Sequence, residues 1–127
     1  MTETGEDIPR GCPLDELLRL LGAHWTPHIL WVLHHDGPTR FGALRRRLAG
    51  VSAKVLTERL RSLESAGVIY RHQVPSIPPQ VTYGLTERGL ELADVLNGLD
   101  RVAARWRRDE AAAPEAAAAS RLAGTGS

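Results

Sequence analysis

The chain has 127 residues, enough for one domain with a modest core, and its 43% apolar and 24% charged content is ordinary for a globular protein. No apolar run approaches the roughly 18–20 residues that span a bilayer, the acidic start lacks the features of a signal peptide, and the single cysteine, Cys12, excludes an intrachain disulfide. A cytoplasmic protein is expected. The net charge of +1 hides an uneven distribution: residues 37–61 carry Arg40, Arg45, Arg46, Arg47, Lys54, Arg59 and Arg61 against Glu58 alone, a local net of +6. Such a stretch suits a surface that faces phosphates, although a solvated helical face has the same composition.

Residues 1–11 are polar with Gly and Pro and are expected to be disordered. Pro13 opens a helix in which Leu14, Leu17, Leu18 and Leu21 recur at helical spacing until Gly22 stops it. Pro27 takes the first turn of a second helix, with Ile29, Leu30 and Leu33 inward. His34 to Pro38 form a break, and Thr39-Arg40 supplies a minimal strand. A third helix runs from Phe41 to Leu48, with Phe41, Leu44 and Leu48 inward and Arg45, Arg46 and Arg47 mostly outward. Ala49-Gly50-Val51 is a turn, and Ser52 is positioned to cap a fourth helix. Leu56, Leu60 and Leu63 form its buried stripe, while Lys54, Thr57, Glu58 and Arg61 fall at i, i+3, i+4 and i+7 on the opposite face. Gly67 ends it in a left-handed turn.

After Gly67 the period changes. Residues 68–74 and 81–85 are β-branched and aromatic, with a proline-stiffened loop between them, so they predict a hairpin. Thr86 then caps a long helix, with Glu87 and Glu91 complementing its dipole. Residues 109–127, rich in Ala and Gly, predict a flexible tail after a domain at 12–108. A short basic helix, a glycine turn and a two-faced helix make a helix-turn-helix, and the hairpin behind it is a wing. The expected fold is mainly α with a small β-hairpin, a winged helix-turn-helix with a long C-terminal dimerisation helix.

Along the chain stand Cys12-Pro13, Gly22-x-x-Trp25 with Pro27, Gly37-Pro38-x-Arg40-Phe41-x-x-Leu44 and Gly50-Val51-Ser52-x-Lys54-x-Leu56-Thr57. They are followed by Leu60-x-x-Leu63-Glu64, Gly67 with Ile69 and Arg71, Pro78-Pro79-x-Val81-x-Tyr83-x-Leu85-Thr86 and Gly89. In this order and spacing the chain resembles the HxlR family of bacterial winged-helix regulators, relatives of the MarR proteins. Two positions depart from the family pattern: His24, where a basic residue is common, and Thr82, where an acid is frequent. The resemblance implies a homodimer that binds pseudo-palindromic promoter DNA and controls nearby genes. It also implies that some members respond to oxidants or electrophiles through a cysteine at the position of Cys12.

Chemistry gives each residue an expected role. Arg61 can donate two hydrogen bonds to guanine, Thr57 can touch a thymine methyl and Glu58 can accept from cytosine, so these three and Lys54 form the base-reading set. Arg40, Arg45, Arg46, Arg47, Ser52 and Arg59 are assigned to phosphates, which give affinity without sequence information. In the wing, Arg71, His72 and Gln80 have the reach to touch DNA. Leu85, Leu92, Leu99 and Trp106 recur every seven residues with Leu96 and Ala103 between, an a/d seam for a partner helix. Leu14 and Leu18 add a second apolar surface to that dimer interface; the alternative is that the stripe packs on its own domain's core. Cys12, just before a helix N-terminus, sits where the dipole favours a thiolate, with Asp15 and Glu16 opposing it; a small buried group is the alternative. His24 and His28 lie four apart without further ligands, and Trp25, Trp31 and Trp106 are better read as packing groups than as a ligand pocket. No nucleophile–base pair, phosphate loop, cofactor motif or metal set is present, so an enzyme is not expected. The leading expectation is a DNA-binding repressor responding to an electrophile or small-molecule effector, and the competing one a winged-helix module that binds proteins without reading DNA.

Overall fold

A computed structural model describes residues 12–123, with side chains as far as Ala112. In chain order the elements are α1 (Pro13–Gly22), α2 (Thr26–Asp36), β1 (Thr39–Arg40), α3 (Phe41–Arg47), α4 (Ala53–Ser65), β2 (Ile69–Val74), β3 (Gln80–Leu85) and α5 (Glu87–Ala123). The chain divides into two units, the first ending at Ala93 and the second beginning at Asp94, within α5. The 1–11 segment, expected to be disordered, lies outside the described residues.

In the first unit α2 is the central helix. Ile29, Leu30, Val32 and Leu33 are all buried, so more than one stripe faces inward. Leu44 and Leu48 reach this core from the α3 side, and Leu56, Leu60 and Leu63 from α4. Val51, Val68, Ile69, Leu92 and Ala93 complete it. The helix ends are chemically explicit. Pro13 stands in the first turn of α1, and the Ser52 hydroxyl accepts the Val55 amide at 3.1 Å to cap α4. α4 closes with a Schellman motif: the Gly67 amide donates to Glu64 and the Val68 amide to Leu63, with Gly67 at φ 75°.

The three strands form one antiparallel sheet in the order β1-β3-β2. Thr39 pairs with Tyr83, and the hairpin runs in register from Ile69↔Leu85 to Val74↔Gln80. Thr86 joins hairpin to helix: its amide donates to the Val68 carbonyl at 3.0 Å, and its hydroxyl donates to Gly67 at 2.6 Å and accepts the Gly89 amide at 3.3 Å. Gly89 is required there because a Cβ would run into the Val68 carbonyl.

Two expectations change. The chain is helical to Ala123, through the segment read as a flexible tail from residue 109. Its alanines are the strongest helix formers, and here that propensity outweighs the tail-like composition. Leu92, assigned to the dimer seam, is buried in the first unit, because a heptad position on the first turns of α5 also faces its own core. No helix among the described residues is long and apolar enough to cross a membrane.

Candidate nucleic-acid interface

The capped start of α4 and its buried Leu56, Leu60 and Leu63 orient the rest of that helix. With those three fixed inward, Lys54, Glu58 and Arg61 are exposed together on the far side, and Thr57 is half-buried among them. The Thr57 hydroxyl donates to the Ala53 carbonyl at 2.8 Å, which occupies its proton and leaves its methyl and the oxygen lone pairs to a base. All four base-reading candidates thus share one face.

Beside this face, at the N-terminal end of α4, lies an open recess lined by Gly42, Arg45, Arg46, Gly50, Val51 and Ser52. Three of the six phosphate candidates, Arg45, Arg46 and Ser52, therefore meet around one helix N-terminus, where cationic groups and the dipole act with the same sign. The Ser52 hydroxyl is held by its cap bond. Arg40 is exposed at the end of β1.

The remaining two candidates are bonded to the protein itself, Arg47 on its surface and Arg59 half-buried. Arg47 grips Asp36 with a fork: Nε to Oδ2 at 2.8 Å and Nη2 to Oδ1 at 3.1 Å. Its guanidinium carbon stands 5.5 Å from the centre of the Trp31 ring, on which His35 stacks at 4.9 Å, and His35 Nδ1 is 2.8 Å from Asp36 Oδ1. The Arg47 guanidinium, helped by His35, holds the Asp36 carboxyl well below the usual carboxylate range, and Asp36 in turn raises Arg47. Arg59 donates its Nε–H to the His24 carbonyl at 2.7 Å. Nothing in the sequence marks the partner of Arg47. The turn of Arg59 toward the protein is readable from its place on the helix: at 100° per residue it lies about 150° from the centre of the reading face.

The wing residues separate. Strand alternation and register put His72 and Gln80 on one face of the sheet and Arg71 on the other, where it donates to Gln73 Oε1 at 3.1 Å. The apolar stripes on α1 and on the second unit are uncovered: Leu14 and Leu18 are exposed in the first, Leu99, Ala103 and Trp106 in the second, and Leu96 is half-buried. Cys12 is a half-buried free thiol whose carbonyl accepts the Glu16 amide at 3.1 Å, at the start of α1. His24 and His28 pack edge to face, their centroids 6.4 Å apart, around Trp25.

A family model for HxlR-like helix-turn-helix proteins matches residues 20–111. An uncharacterised HTH-type transcriptional regulator of Synechocystis, sll1512, is 40% identical over 99 residues, covering 78% of this chain and 73% of that protein. Among solved structures, the reduced form of the transcriptional regulator YodB from Bacillus subtilis is 36% identical, covers 71% of this chain and 88% of that one, and superposes with a TM-score of 0.64. The redox regulator HypR in its oxidised form is 31% identical, covers 71% and 92%, and gives a TM-score of 0.65. These relatives regulate transcription and do not catalyse reactions. The chain belongs to the HxlR-like helix-turn-helix family and is a transcriptional regulator of the winged-helix type.

Proposed function

We propose that the chain works as a homodimer that reads pseudo-palindromic promoter DNA through α4 and represses the genes beside its site. The observation that carries this reading is the outward face of α4, with Lys54, Glu58 and Arg61 exposed together and Arg45 and Arg46 beside its N-terminal end. A groove-facing helix needs base-reading side chains on one face and cations at its margin, and this arrangement supplies both. Leu14 and Leu18 on α1, and Leu99, Ala103 and Trp106 on the second unit, offer apolar surface to a second copy. A two-fold dimer sets its reading helices about 34 Å apart, one turn of DNA. Cys12 releases the complex on an oxidant or electrophile; with one cysteine per chain, a disulfide joins two subunits or a small thiol. The redox regulators among the relatives support this role.

Fluorescence anisotropy with DNA from upstream of this gene, against a shuffled duplex at ~150 mM salt, tests the reading. A preference of at least about a hundredfold is expected. Equal binding to both duplexes leaves a non-specific basic surface, and binding to neither favours a protein-binding module. Repeating the titration after diamide, with Cys12→Ser as control, tests the sensor: affinity that diamide leaves unchanged refutes it.

A further inference from the structure

The turn between α1 and α2 holds an unusual residue. The Ala23 carbonyl accepts the Thr26 amide at 3.1 Å, and within that turn Trp25 adopts φ 78° and ψ −17°. This is the third position of a type II turn, normally glycine because a side chain is crowded in the left-handed region. Trp25 is the one non-glycine residue at positive φ among the described residues. Such a conformation persists where its surroundings over-determine it.

Its surroundings come from its own turn and α2 and from the helix-turn-helix. The Trp25 ring is flanked by His24 at 4.8 Å and His28 at 5.6 Å, and its six-membered ring comes up to Gly50, where a Cβ would stand 3.9 Å away. Gly50 belongs to the turn between α3 and α4. From α4 itself, Arg59 bonds the His24 carbonyl at 2.7 Å. The turn is therefore bonded to the reading helix and faces the loop that leads into it. Arg59 is half-buried, whereas Glu58 and Arg61 on the reading face of the same helix are exposed.

We propose that Arg59 is a positioning residue for DNA reading, which fixes α4 against the α1–α2 turn through the His24 carbonyl, and that it does not contact phosphate. This role rests on the DNA reading proposed above. With the bond in place, Lys54, Thr57, Glu58 and Arg61 are presented in one fixed orientation. Without it α4 is free to shift, and base contacts, which need exact hydrogen-bond geometry, suffer more than phosphate contacts, which are long-ranged.

The test separates donor from charge. In Arg59→Gln the side-chain amide nitrogen occupies the bond position of the arginine Nε, so the donor stays and the charge goes. In Arg59→Met the chain reaches the same ε position as in the Gln variant, and both go. Binding is measured for the wild type and both variants on upstream and shuffled DNA across a salt series. The Met variant is expected to lose about tenfold on upstream DNA and about twofold at most on shuffled DNA. The Gln variant recovers most of that loss, and neither changes the salt slope. Parallel losses for Gln and Met on both duplexes, with the slope reduced by about 0.9 for each lost contact, overturn the proposal and return Arg59 to the phosphates. Equal binding by all three proteins overturns it as well. A wild-type protein that shows no preference for upstream DNA marks instead a failure of the DNA reading, and the role assigned to Arg59 falls with it.

Discussion

Leu99→Ala isolates the proposed dimer seam, because Leu99 is 61% exposed in the single chain and so contributes little to its own fold. Each buried methylene is worth about 0.8 kcal/mol, and the substitution removes three carbons, about 2.4 kcal/mol if the whole side chain became buried. Only the exposed three-fifths is left for a partner to cover, which leaves about 1.4 kcal/mol per subunit. A two-fold interface counts the change twice, giving about 3 kcal/mol and a dimer dissociation constant raised about a hundredfold. Sedimentation equilibrium over a concentration series reads this directly. In thermal unfolding at concentrations where both proteins are monomeric, the substitution should lower the midpoint by only a few degrees, as the covered two-fifths, about 1 kcal/mol, implies. A dissociation constant unchanged by the substitution, or a wild-type protein that is monomeric at micromolar concentration, refutes the seam.

Arg61→Ala is expected to reduce discrimination between upstream and shuffled DNA by ~1–3 kcal/mol, whereas Arg46→Ala should weaken both equally; equal losses for Arg61→Ala remove it from the reading set. Ser52→Ala deletes the cap on the Val55 amide and should cost about 1 kcal/mol, seen as a lower urea midpoint at constant m-value. Asp36→Asn tests the fork on Arg47. The folded Asp36 carboxyl titrates below its ordinary value of 3.8, so the pair's contribution is complete above about pH 4 and declines as pH falls further. The stability gap between wild type and Asp36→Asn should therefore narrow below pH 4 in urea titrations, and a gap that stays constant into acid contradicts the assignment.

What the sequence discloses here is what local chemistry determines. Leu56, Leu60 and Leu63 repeat at helical spacing, Ser52 precedes them and Gly67 follows, so the bounds and the buried face of α4 can be read without any tertiary knowledge. The hairpin is legible for the same reason, since a period of two between turn residues has few other solutions. The bonding partners of the arginines are not legible in this way. Arg47 finds its partner 11 residues back and Arg59 finds a backbone carbonyl 35 residues back, and a carbonyl carries no sequence mark. Leu92 illustrates a different loss. A residue on the first turns of α5 satisfies the heptad and the core at once, and only packing decides between them. The conformation of Trp25 was also hidden, because tryptophan gives no sign of the left-handed region.

These arginines alter how the cationic segment should be counted. By composition alone, Arg40, Arg45, Arg46, Arg47 and Arg59 all face phosphates, which makes ten contacts across a two-fold dimer and a slope of log K against log salt near about −9. Arg47 is committed to Asp36 and Arg59 to His24, which leaves Arg40, Arg45 and Arg46, six contacts per dimer and a slope near about −5. Between 50 and 200 mM salt, a fourfold change, the two slopes predict losses of about 10⁵ and about 10³ in affinity, a difference that anisotropy titrations resolve easily. The shallower slope is expected. A slope near the steeper value means that binding opens the fork on Asp36 and frees the His24 carbonyl, so that both arginines are spent on DNA after all. The Arg59→Gln variant then separates the two releases, because only the Arg59 share of the steep slope disappears with it.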